Sequence, residues 1–514
     1  MTSRPGGAVG VATTIGLGTA AAVLLGFVAV ALPPAAKVVL LAVGAISLTG
    51  WATWRLVVPA LNRAHAWRAA LSGGKWVDVV LLWLFVEAGW AGLWRGPGGL
   101  RIADLLVLGL GAYALVGIRT APPAVRRVVA VLAGAFGLVL VGALLAGLEQ
   151  GLAASDVEAV ARAGFAMLLV PAVVVRFIQS ERRFEAVLLA TVVSVAVASI
   201  AAVAAQATDA WILPFADDFG GRRSYGLSNH PALFGIAAAA ALPLGVALAL
   251  PARERERGRV RVVAVLCLPM LLVGLVLSAS RAPLVAGVLA VLGLLFALRT
   301  GGRRGRVALA LMLVAMAAAA AAVFPERLER LSDEGAQQSA LARVELLSTA
   351  LSDVGASPIV GRGARVIKGD GGLEPSDSYW AGSTVALRVG GGRGDGDAGA
   401  HNLLLQTWRA LGLPGLMGLA MAVIAGLVAG LRAIRSAPER MRGLVGAVLA
   451  SLGVVLGCLM IFDAVFERQL WLTVGLLCAL GVAAPTWARD SLDPEPAGSE
   501  AEVAQGPVAS RARA

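Results

Sequence analysis

Against a strongly apolar background, the residues of this chain that could do chemistry are two histidines and a few arginines. His401 and Asn402 open the run "HNLLLQTWRALGLPGLMGLA", and His230 stands before Pro231 at the head of another apolar run, with Arg222 and Arg223 just upstream. Arg281 lies in "LSASRAPL" and Arg343 in "ALARVELLSTALSDV". Arginine keeps its proton and offers a planar fork of donors, which suits phosphate oxygens in a partly desolvated site. Histidine titrates near neutral pH and can take a proton from a hydroxyl as it reacts. Together these types suit attack by an alcohol on a carbon whose leaving group is a phosphate or diphosphate. In a membrane, that leaving group stays attached to a lipid.

The composition puts this chemistry in a bilayer. Of 514 residues, 58% are hydrophobic and 15% charged, and the mean hydropathy is +0.81. No soluble globular domain has this balance. Apolar stretches recur at about 20 residues, the helical length that crosses a hydrocarbon core of about 30 Å, and no strand-like alternation suggests a barrel. The net charge of +12, from 44 Lys+Arg against 32 Asp+Glu, is read as membrane topology and not as a nucleic-acid surface. Cys267, Cys458 and Cys478 lie inside apolar runs, where a disulfide framework or metal site is not expected. An uncleaved first span is expected in place of a signal peptide.

Spans are predicted near residues 11–32, 36–54, 76–94, 102–118, 128–148, 163–178, 186–206, 230–250, 262–280, 282–298, 307–323, 402–431, 443–464 and 469–487. The expected fold is an all-α polytopic bundle of about 12 to 14 transmembrane helices with one large extracytoplasmic loop. Alternate loops are basic, for example those holding Arg119, Arg126 and Arg127, then Arg182 and Arg183, then Arg253 to Arg261, then Arg432 to Arg442. That alternation places both termini, and His65, in the cytoplasm. The expected organisation is N-terminal spans over 1–206, a core over 207–425 that includes the outer loop 324–400, C-terminal spans over 426–487 and a disordered cytoplasmic tail over 488–514. Within the loop, Leu341, Val344, Leu347, Leu351 and Val354 are predicted to share the apolar face of a helix. A Gly-rich stretch then leads to His401, and it is expected to be mobile.

This topology gathers His230, His401, Arg222, Arg223, Arg281 and Arg343 at the outer face. Arg281 is the most informative, because a guanidinium between two apolar runs is costly without an anionic partner or a function. Each residue also has a structural reading. His401 and Asn402 could cap the helix that follows, and His230 with Pro231 fits a helix start. Arg281 could bond the free carbonyls that end the preceding span. Arg343 could be an interfacial residue, and Arg222 and Arg223 could mark the membrane surface.

The segments that carry these residues resemble the O-antigen ligase and polymerase superfamily. The run "AHNLLLQTWRALGLPGLMGL" is similar to the family's His-Asn signature followed by Leu-Gln and a Gly-x-x-Gly helix start. In the same order, "YGLSNHPALFGIAAAAALPL" resembles the Asn/His-Pro segment that opens a span, and "LSASRAPLVAGVLAVL" the Ser-Arg turn. "ARVELLSTALSDVGASPIVGRGA" resembles the Arg-led loop helix with its Pro-x-x-Gly-x-Gly. The resemblance covers roughly residues 220 to 425, and the first 200 residues carry no matching motif. The order "SNHP" differs from the family's usual Pro-Asn form, and the Gly-rich stretch before His401 looks like an insertion.

The resemblance implies a membrane bundle of about 12 spans that moves glycans from a polyprenyl diphosphate carrier to an acceptor hydroxyl, with no metal or other cofactor. It assigns His401 as the general base and Arg281 and Arg343 as the diphosphate ligands. Arg222, Arg223, His230 and Asn402 are accessory candidates. The expected activity is an inverting glycosyltransferase at the outer face of the cytoplasmic membrane. Its expected partners are a lipid-linked donor, a glycan, lipid or protein acceptor, membrane lipids and other polysaccharide assembly proteins, with no nucleic acid. The alternative is a transporter or flippase of lipid-linked oligosaccharides. Such proteins usually have two similar halves and mid-membrane charges, whereas here the polar groups gather at one face and no repeat is visible. A structural partner that has lost catalysis is the third reading.

Overall fold

A computed structural model describes residues 76–88, 102–151, 154–208, 224, 226–228, 231–250, 258–297, 314, 334–363, 402–461 and 468–490. Among these residues there are helices and turns and no strands. In chain order the helices are α1 (Trp76–Ala88), α2 (Ile102–Val116), α3 (Pro123–Gln150) and α4 (Ala154–Gly164). A π turn, Phe165–Leu169, carries α4 into α5 (Val170–Phe177). Then come α6 (Glu181–Thr208), α7 (Pro231–Ala249), α8 (Gly258–Leu277), α9 (Arg281–Ala297), α10 (Glu334–Ala356), α11 (Leu403–Ser436), α12 (Glu439–Leu459) and α13 (Arg468–Asp490).

Among the described residues, eight helices are long and apolar enough to cross a membrane: α3, the joined α4 and α5, α6, α7, α8, α11, α12 and α13. Shorter apolar helices are formed by α1, by α2 with its 3-10 extension, and by α9. The protein is therefore an all-α, multi-pass membrane protein. The spans expected near 11–32 and 36–54 lie outside the described residues, as does 307–323 except for helical Val314.

One hydrophobic core runs through the bundle, with Trp471, Phe184 and Phe85 fully buried. Exposed apolar residues such as Leu289 and Phe296 on α9 and Ile424 and Leu431 on α11 form the surface that faces lipid. Glycines bring the helices close: a side chain at Gly142 of α3 would collide with the backbone of Leu411 and Gly415 of α11, and one at Gly418 with that of Ala135. Small residues at such crossings let helix backbones approach where no hydrophobic effect drives association. Cys267, Cys458 and Cys478 are buried and unbridged on α8, α12 and α13.

The helix ends sort into two groups. At one end, Arg183 pairs with Asp78 at 2.6 Å, Arg440 donates to both carboxylate oxygens of Glu181 at 3.2 and 3.0 Å, and the Trp487 indole donates to the Gln179 carbonyl at 2.9 Å. These contacts join the starts of α1, α6 and α12 to the end of α13, and two of the basic loops expected in the cytoplasm, those of Arg183 and Arg440, meet here. At the other end, the Asn402 amide donates to the Met460 carbonyl at 3.1 Å, which ties the start of α11 to the end of α12. The α9 and α12 helices run antiparallel, since Leu294 lies near Gly446, so Arg281 at the head of α9 belongs to this second end.

Candidate active site at the end opposite the basic loops

Three structures lie at the second end. The first is the turn between α8 and α9. The backbone N–H of Ser278 donates to Gly274, that of Ala279 to Val276, and the Ser278 hydroxyl to the Leu275 carbonyl at 2.7 Å. The Ser224 N–H donates to Leu277 at 3.0 Å and the buried Ser280 hydroxyl to Ser278 at 3.2 Å. Every carbonyl from 274 to 278 thus has a donor, so the helix end does not require the Arg281 guanidinium to cap it. Ala279 at φ 47° makes the sharp reversal, and Arg281 then begins α9 with an exposed side chain. A cation at a helix N-terminus opposes the macrodipole. The same Ser224 bond fastens that residue to this turn, and Gly226 at φ 58° packs its backbone against Phe234 and Ala198.

The second structure is the loop helix α10, docked on the first turns of α11. Asp353 pairs with the buried Arg409 at 2.6 Å and with the half-exposed Arg362 at 2.6 Å. Ala350 and Val354 pack with Leu405 and Trp408. After α10, the segment "SPIVGRG" lies along α11. The Arg362 N–H donates to Arg409 at 2.8 Å, Gly363 to Ala410 at 3.0 Å, and Leu413 to Pro358 and Ile359 at 3.1 and 3.2 Å. The Trp408 indole donates to the Pro358 carbonyl at 2.8 Å.

This docking requires a kink in α11. Gly412 has φ 62° and ψ −166°, a region essentially confined to glycine, and Pro414 follows two residues later. A Cβ on Gly412 would sit inside the carbonyl of Ile359, and one on Gly361 (φ 80°) would meet the Ala410 carbonyl and the Gly412 nitrogen. Gly412→Ala is therefore expected to cost about 1–3 kcal/mol in backbone strain alone, with the clash added. The check is limited proteolysis of membranes, where the variant should be cut faster within 334–363 than wild type.

The third structure is the helix start at Asn402. Its backbone is extended (φ −149°), its side-chain oxygen accepts from the Leu405 N–H at 3.0 Å, and its amide holds Met460. Asn402 is the N-cap of α11, and His401 is the residue before it.

Two sequence expectations are refined. The loop helix forms as expected, and among the described residues of its apolar face Val344, Leu347 and Leu351 are exposed while Val354 is buried, together with Ala350. A buried ion pair and small residues seat the helix. The span expected over 402–431 corresponds to the candidate span Leu403–Ser436, whose first turns hold the buried Gln406, Thr407 and Arg409 against α10 and the following turn. Arg343 falls within α10, seven and eleven residues before Ala350 and Val354, and so at the register of the packed face. His65, His230, His401, Arg222 and Arg223 lie outside the described residues, as does the Gly-rich stretch. Sequence reasoning missed Asp353, Arg362, Trp408 and Arg409. The one available signal was Arg409, a charge inside an apolar run.

Residues 262–420 match the family model of O-antigen ligase. The chain carries an O-antigen ligase domain. That match supports kinship of this domain with the O-antigen ligase and polymerase superfamily and a ligase- or polymerase-type role, a class that acts on lipid-linked glycans. The matched stretch begins in α8 and ends just beyond the Gly412 kink, so the α8–α9 turn, α10 and the head of α11 are all parts of the O-antigen ligase domain. Comparison with curated proteins gives no match.

Proposed function

We propose that the protein transfers a glycan from a polyprenyl diphosphate carrier to an acceptor hydroxyl at the outer face of the cytoplasmic membrane, with inversion at the anomeric carbon. The basic loops of Arg183 and Arg440, together at one end of the bundle, support a cytoplasmic position for that end, and with it cytoplasmic termini. The observation that carries the reading is the placement of Arg281 and the docked helix of Arg343 at the same, opposite end, both within the O-antigen ligase domain.

In the reaction the acceptor oxygen forms a bond to the anomeric carbon as the bond from that carbon to the diphosphate oxygen breaks. The electron pair leaves with the carrier diphosphate. His401 takes the acceptor proton, and Arg281 and Arg343 hold the diphosphate and stabilise its growing charge. Arg222, Arg223 and His230 flank Ser224 in the sequence and are accessory candidates for the diphosphate. Asn402 acts through the helix it caps, so it positions His401 and does not itself touch substrate.

The test is a deletion strain carrying wild type, Arg281→Ala or an empty vector, with membrane levels checked. Carrier-linked glycan should accumulate with Arg281→Ala and with the empty vector. Stalled single repeat units would identify a polymerase and stalled long chains a ligase. Wild-type levels of finished glycan in the deletion strain would sink the proposal.

A further inference from the structure

The loop helix α10 has three faces. Ala350, Asp353 and Val354 pack on α11, while Glu345, Ser348, Thr349 and Ser352 form an exposed polar face. Between them, Val344, Leu347 and Leu351 recur at three, four and seven residues and are 63%, 38% and 54% exposed. Apolar side chains in helical register on one exposed strip call for a partner.

Its position relative to α11 says which partner. The α11 helix has 34 residues broken at Gly412, and the part from Leu413 to Ser436 is about 36 Å at 1.5 Å per residue, enough by itself to cross a core of about 30 Å. Its lipid-facing stripe runs from Leu431 through Val428, Ile424 and Met417 to Leu413, where exposure of apolar residues continues onto Ile359. The Leu413 N–H donates to the Ile359 carbonyl, so the two residues adjoin. Counting about 20 residues back from Leu431 reaches Gly412. The kink and the segment docked on it therefore stand at the outer boundary of the hydrocarbon. The α10 helix runs directly into that segment, so its exposed apolar strip leads, through exposed Ile359, to the lipid-facing stripe of a transmembrane helix.

We infer that α10 lies on the membrane surface with Val344, Leu347, Leu351 and Ile359 sunk in the outer leaflet, its polar face in water and its third face on α11. An amphipathic helix binds an interface in this way, with its apolar face buried about 5–10 Å below the headgroups. The arrangement sets the Arg343 register at headgroup depth, where the diphosphate of a lipid carrier must sit. This last consequence rests on the function proposed above, but the membrane contact does not.

The experiment places a polarity-sensitive maleimide dye at Leu347→Cys, Leu351→Cys, Glu345→Cys or Thr349→Cys in the full-length protein in phosphatidylglycerol and phosphatidylethanolamine vesicles. Wild type, whose three cysteines are buried, sets the labelling background. Nitroxide-bearing lipid should quench dyes at 347 and 351 about threefold more than dyes at 345 and 349, and aqueous iodide should show the reverse order. Stronger iodide quenching at 347 and 351 would overturn the inference by showing that the strip faces water. Weak quenching by both agents would overturn it too, by showing a protein cover; relief of that protection on dilution would identify the cover as a second copy of this chain. These readouts do not depend on glycan transfer, so failure of the proposed activity leaves them interpretable.

Discussion

Asp353→Ala is expected to release the loop helix from α11 and abolish glycan transfer while leaving the membrane bundle in place. Its carboxylate is the acid paired with Arg409, whose side chain is 3% exposed. Removing one partner of a buried pair costs about 3–5 kcal/mol, mostly because the remaining charge is left uncompensated in low dielectric. The second pair, with Arg362, is 47% exposed on the arginine side and contributes little. The variant should accumulate in membranes but be cut by protease within α10, and turnover of carrier-linked glycan should fall with it. Arg409→Met provides the control. It removes the buried charge and leaves an apolar side chain of similar reach, and the double variant Asp353→Ala/Arg409→Met should regain much of the protease resistance lost in Asp353→Ala. If Asp353→Ala stays resistant and active, the backbone bonds of Arg362, Gly363 and Leu413 hold the segment without the ion pair.

The features legible in the sequence are those with a local cause. Hydropathy alone marked most helices, because the hydrocarbon thickness fixes their length. The break at 278–280 was visible as Arg281 between two apolar runs, and Asn402 as a residue type that caps helices. The loop helix was legible by its period, but its packed face was not. The usual rule assigns the largest apolar residues to a protein core, and it fails beside a membrane, where Leu347 and Leu351 need no protein partner. The Asp353–Arg409 pair joins residues 56 apart in sequence, and nothing local in either segment announces the other. The kink was hidden for a different reason: Gly412 stands among several glycines in "LGLPGLMG", and only the backbone bonds from 358 to 363 single it out. For His401 and the 222–230 segment, the O-antigen ligase resemblance carried residue roles that spacing did not.

His401→Ala and Asn402→Ala are expected to fail in opposite ways. The Asn402 side chain already fills the cap, accepting from Leu405 and donating to Met460. His401 stands one position outside the helix and is not needed to satisfy that amide. His401→Ala should therefore leave protein level and protease resistance unchanged. Its transfer rate at saturating donor should drop by roughly 10²–10⁴-fold, the range for loss of a general base. Asn402→Ala should lose about 1 kcal/mol of stability and loosen the α11–α12 junction. It should retain measurable transfer, because the base is present though less well held. Both can be assayed with carrier-linked glycan from membranes of the deletion strain, following its consumption beside a thermal-inactivation curve for each variant. If His401→Ala instead loses stability and keeps its rate, the histidine belongs to the helix start and another residue takes the proton. If rate falls in both variants while stability falls only in Asn402→Ala, the cap and the base are separate parts of one device, in which the first fixes the position from which the second acts.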